Sequence, residues 1–91
     1  MYAGARIVVN GYVQGVGFRY FVIRLAHNLG VTGWVRNCWD GSVEIEAEGE
    51  KASLEAFVAE VRIGPRAAHI TAVDVVWLPY EGRYKGFDVT Y

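Results

Sequence analysis

The chain has 91 residues, 53% of them hydrophobic, and a formal net charge of −1. That length suits one domain over residues 1–91 with a core of its own, and the near-neutral balance lacks the basic excess that non-specific binding to nucleic acid or a membrane surface requires. The lone cysteine, Cys38, excludes an internal disulfide or a cysteine zinc site, and no apolar run nears the roughly 18 residues of a membrane span. A cytoplasmic protein with neither nucleic-acid nor membrane partners is expected.

Residues 6–13 read as the first strand, with Ile7, Val9 and Val13 on one face under a period of two. A helix is expected over 19–29, where Phe18, Val22, Leu25, Ala26 and Leu29 form one apolar stripe and Gly30 stands at the C-terminal cap. Residues 32–38 and 42–49 read as the arms of a hairpin about Asp40-Gly41. In the second arm Val43, Ile45 and Ala47 face one way and Ser42, Glu44, Glu46 and Glu48 the other, so the acidic row is expected on a solvated sheet face. A second helix over 51–62 carries Leu54, Phe57, Val58 and Val61 on one side, lacks a clean N-cap, and stops at Gly64-Pro65. Residues 70–78 form a β-branched run, and 86–91 alternate as a short terminal strand. The order β-α-β-β-α-β predicts an α+β, ferredoxin-like split βαβ sandwich, an antiparallel sheet with two helices on one face. That layout hosts many functions and decides none.

The chemistry lies in Gly11-Tyr12-Val13-Gln14-Gly15-Val16-Gly17-Phe18-Arg19, a strand end, a glycine-bearing turn and a helix start. Glycines adopt the conformations that aim successive N–H groups into one concavity. A helix N-terminus adds unpaired donors and partial positive charge, and the Arg19 guanidinium offers a planar fork that fits phosphate oxygens in pairs. Taken singly, these residues have ordinary accounts: glycines make tight turns, surface arginines are solvated, and Asn37 suits a turn before Asp40-Gly41. Together they point to a phosphate-like anion. His27 and His69 read as surface or structural residues. Cys38 reads as structural, since no partner base is evident for a reactive thiol. Trp34, Trp39 and Trp77 read as core and rim packing rather than a base-stacking platform.

The run from Gly11 to Arg19 resembles the first signature of the acylphosphatase family. Gly33-Trp34-Val35-Arg36-Asn37-Cys38-Trp39-Asp40-Gly41-Ser42-Val43, continuing to Glu48-Gly49, resembles the second, and Gly64-Pro65 and Gly86-Phe87 fit as well. The likeness implies hydrolysis of a carboxyl–phosphate anhydride to carboxylate and inorganic phosphate. It implies a phosphate cradle of backbone N–H groups from Gln14, Gly15, Val16, Gly17, Phe18 and Arg19, with Arg19 binding phosphate and Asn37 positioning the attacking water. The topology permits the two segments to line one end of the sheet; sequence alone leaves their separation open. Phosphoryl transfer needs positioning and charge neutralisation more than covalent help, and a carboxylate, with a conjugate-acid pKa near about 4, leaves without a strong general acid. Neither a metal nor a cofactor is expected: no cluster of histidines, cysteines or carboxylates has ligand spacing. The expected partner is a small acyl phosphate, with inorganic phosphate as product, and the protein is expected to be a monomer. Two other readings stand beside this one: a phosphate or acyl-phosphate binding module without turnover, and an acylphosphatase-like module of a carbamoyl-transfer system.

Overall fold

A computed structural model describes residues 1–91. Seven elements follow in chain order: β1 (Tyr2–Tyr12), α1 (Phe18–Leu29), β2 (Thr32–Asn37), β3 (Val43–Glu50), α2 (Lys51–Ile63), β4 (His69–Leu78) and β5 (Phe87–Val89). The strands form one sheet in the order β4-β1-β3-β2-β5. The expected α+β, ferredoxin-like architecture is present, with one refinement: β5 pairs with β2 in parallel, so the sheet is mixed. The reason is connectivity. β4 and β5 lie on opposite edges, and the segment between them crosses the sheet end before β5 runs back beside β2. The first strand is also longer than its alternation shows, starting at Tyr2, because Ala3 and Gly4 interrupt the hydrophobic period.

Register separates the two faces. Ala5, Ile7 and Val9 of β1 stand opposite Ala47, Ile45 and Val43 of β3, and Val35 of β2 stands opposite Ile45. These residues, all fully buried, meet Phe18, Val22 and Ala26 of α1 and Leu54, Phe57 and Val61 of α2 in one core. Each helix thus buries the stripe its spacing requires, although Leu25 and Leu29 are only half-buried at its margin. Gly30 ends α1 in the left-handed conformation at φ 70, as its position implies.

The other sheet face overturns the expectation of a solvated acidic row. Glu44 is 3% exposed and Glu48 is fully buried. The Glu44 carboxylate receives Arg6 and Arg36, the latter at 2.6 Å. Glu48 accepts the backbone N–H groups of Glu81 and Arg83, at 2.8 and 3.0 Å. Glu46 accepts the Tyr84 hydroxyl and the Arg83 guanidinium. Alternation predicted the side these residues take but not what covers them. The cover is the crossover segment 79–86 and two arginines from flanking strands. Burying a carboxylate is tolerable because each has such partners. Trp39 also departs from expectation: it is fully exposed at the tip of the β2–β3 turn rather than packed, whereas Trp34 is half-buried beneath the Arg36 guanidinium, 5.5 Å from its ring centroid.

Candidate active site

The end of β1, the start of α1, the end of β2 and the end of β5 converge at one edge of the sandwich. A cleft of about 300 Å³ opens between them. Gly15, Gly17, Phe18 and Arg19 line one side and Asn37 another, so the two sequence motifs do meet. Gln14 and Val16 do not line this cleft. The Gln14 amide instead donates to the carbonyls of Cys38 and Ser42, at 2.8 and 2.9 Å, and ties the loop to the β2–β3 turn. Val16 packs against the core.

The loop takes its shape from glycine. Gly15 and Gly17 both sit at φ 76, a conformation other residues reach only with strain. Gly17 is the N-cap of α1, supplies no side-chain cap, and is followed by no acidic residue in the first turn. The usual capping carboxylate or hydroxyl is therefore missing, and none of the backbone N–H groups of residues 14–20 donates a hydrogen bond within the protein. A run of free donors meets the positive end of a helix dipole there. Arg19 is half-buried and forms no ion pair.

Asn37 is the last residue of β2 and stands opposite Val43, on the same side of the sheet as Val35 and the helices. Its position depends on the turn that follows. Asp40 Oδ1 accepts the Ser42 N–H at 3.0 Å and the Ser42 hydroxyl at 2.6 Å. These bonds, the hydroxyl's first, hold the exposed Asp40 carboxyl below its usual pKa. The Cys38 N–H reaches the Ser42 carbonyl at 2.8 Å. Within this closed turn the Asn37 Oδ1 atom is buried with no hydrogen-bond partner. A buried, unpaired carbonyl oxygen costs about 1–3 kcal/mol, so the Asn37 side chain is held beside the cleft at a cost to stability.

The remaining wall comes from Val13, Tyr20, Ile23, Val89 and Tyr91, none of which the motifs singled out. Helical spacing places Ile23 one turn from Arg19 and could have found it. Val89 and Tyr91 reach the cleft only because β5 pairs in parallel with β2, with the Thr90 N–H on the Val35 carbonyl at 2.9 Å. Nothing local in the sequence signals that pairing. His27 and His69 are exposed and line no part of the cleft. No three His, Cys, Asp or Glu side chains are grouped to hold a metal ion, and no helix is long and apolar enough to cross a membrane.

Comparison with known proteins gives this edge of the fold a family. The family model described as Acylphosphatase matches residues 5–89. The chain belongs to the acylphosphatase family. It is 55% identical over 73 residues to the acylphosphatase of Bifidobacterium longum, covering 80% of this chain and 75% of that one. It is 51% identical over 87 residues to the acylphosphatase of an Anaeromyxobacter species, covering 96% and 94%. Among solved structures, Bacillus subtilis acylphosphatase superposes with a TM-score of 0.94 at 41% identity, over the whole of both chains. Full-length HypF in a phosphate- and nucleotide-bound form contains a similar segment, with a TM-score of 0.91 at 33% identity over 12% of its chain. The cleft of this acylphosphatase-family member lies entirely within the matched residues except for Tyr91.

Proposed function

We propose that the protein is an acylphosphatase, hydrolysing the carboxyl–phosphate bond of an acyl phosphate, and that Arg19, Asn37 and the loop backbone carry the reaction. Family membership supports the activity. For the assignment of residues, the observation that carries most weight is that Asn37, Arg19 and the free backbone donors of the loop meet at one cleft.

In this reading the phosphoryl group lies against the loop and the first turn of α1. Backbone N–H groups between Gly15 and Arg19 and the Arg19 guanidinium hold its oxygens. These donors are fixed before the substrate arrives, so the charge of the transition state is met without reorganisation. The Asn37 side-chain amide, which can both donate and accept, orients a water molecule so that a lone pair of that water faces phosphorus. As the P–O bond to the acyl group breaks, the bonding pair leaves with the carboxylate and the water oxygen bonds to phosphorus. One water proton passes to a phosphoryl oxygen. Carboxylate and inorganic phosphate result, and no protein base or acid changes its protonation. Gln14 serves from a distance, bracing the loop against the turn that positions Asn37. Val16 anchors the loop in the core.

Hydrolysis of benzoyl phosphate, followed with a chelator present for the wild-type protein and Arg19→Gln, tests this reading. Metal-independent turnover that the variant loses is the expected result. Phosphate binding without hydrolysis by the wild-type protein would favour a binding module instead.

A further inference from the structure

The charges of this chain are unevenly placed. All ten acidic residues lie at Asp40 or beyond, so the segment that forms β1, the loop, α1 and β2 contains none. Of the arginines in that segment, Arg6 and Arg36 are neutralised on Glu44 at the open sheet face. Arg19 and Arg24, both on α1, form no ion pair. Arg19 belongs to the cleft already described. Arg24 lines a second cleft, of about 410 Å³, together with Asn28 of α1 and Pro65 of the turn after α2.

The two clefts are neighbours: Gly17 and Tyr20 border both. Tyr20, one turn before Arg24, is the partition, and the Arg24 guanidinium sits 5.7 Å from its ring centroid. That contact restrains a side chain that would otherwise sample many rotamers. A molecule whose phosphoryl group lies on the loop can extend its other end past Tyr20, where it meets a cation with no carboxylate to satisfy it. Resting on the reading of the first cleft as an acyl-phosphate site, we propose that the second cleft is a subsite for a negative group on the acyl part of the substrate, bound by Arg24. The favoured substrate class is then an acyl phosphate whose acyl chain carries a second anion, a carboxylate or a phosphate.

Matched probes test this. The values of kcat/KM for para-carboxybenzoyl phosphate and for its neutral methyl ester are compared at fixed ionic strength, which holds screening constant. The wild-type protein should favour the carboxylate by about fivefold, the upper range for an exposed charge contact, and the gain should appear in KM. Arg24→Gln should bring the ratio to about one, Arg24→Lys should restore part of it, and Arg24→Glu should invert it, as expected for a direct charge contact. Lys85→Gln removes the same charge elsewhere and should leave the ratio as it is. A wild-type ratio at or below one, or a ratio that Arg24→Gln does not change, overturns the subsite and leaves the acylphosphatase reading standing. Failure of the wild-type protein to hydrolyse either probe overturns both.

Discussion

Two polar regions of this molecule lie on opposite sides of the same sheet and treat their charges in opposite ways. On the open face Glu44 and Glu48 are buried, and both are satisfied, by two arginines and by two backbone N–H groups respectively. At the cleft the loop N–H groups, Arg19 and Asn37 Oδ1 are left without partners inside the protein. The first region holds structure together. The second leaves its bonding capacity unused within the chain. The contrast teaches that a local count of charges is a poor guide to function here. The conspicuous acidic row is structural, while the candidate site contains one cation and an amide.

The comparison can be broken most sharply at Arg19. Replacing it with glutamine should lower kcat/KM for benzoyl phosphate by roughly a hundred- to a thousandfold, the scale of losing a fixed oxyanion donor. The melting temperature should hardly move, because Arg19 forms no ion pair in the fold. Asn37→Ala should reduce kcat about a hundredfold with little change in KM. Removal of a buried, unpartnered oxygen should leave thermal stability equal or higher, by up to about 1 kcal/mol. A variant that loses both activity and stability would return Asn37 to a structural role.

Open-face changes should behave in the reverse manner. Glu48→Ala strips the acceptor from two backbone donors of the crossover segment and should destabilise the protein by about 2–3 kcal/mol in urea titration. The value of kcat/KM per folded molecule should change far less than in the Arg19 variant. For Glu44, burial pushes the carboxyl pKa up, but hydrogen bonds and charge from Arg36 and Arg6 outweigh it and hold it below the ordinary 4.5. The stabilisation is therefore complete above that value and is lost as pH falls through the depressed folded pKa. Glu44→Gln should flatten the acid limb of the stability curve, read from denaturant midpoints across that range. The smallest effect expected is from Gly17→Ala. An added Cβ meets open space, and only the positive φ opposes it, so stability should fall by about 1 kcal/mol. A loss of kcat/KM beyond that would sharpen the case that loop geometry itself is catalytic.

Much of this protein was legible from residues alone. Hydrophobic period marked both helices and most strand faces, and Gly30 and Gly64-Pro65 marked where the helices end. The glycine loop, Arg19 and Asn37 carried the family likeness because loop backbone and helix start are local features, written in consecutive residues. Three things were decided only by the tertiary structure. The parallel docking of β5, which brings Val89 and Tyr91 to the cleft, joins segments far apart in sequence. The burial of Glu44 and Glu48 depends on what crosses over them, and alternation assigns a side without saying whether that side stays wet. The pairing of Arg24 with a second cleft follows from the turn after α2 meeting α1 at Pro65. Periodicity is set by bonds between near neighbours and can be read along the chain. Partners of buried charges and walls of clefts are set by long-range packing, which one strand or helix does not contain.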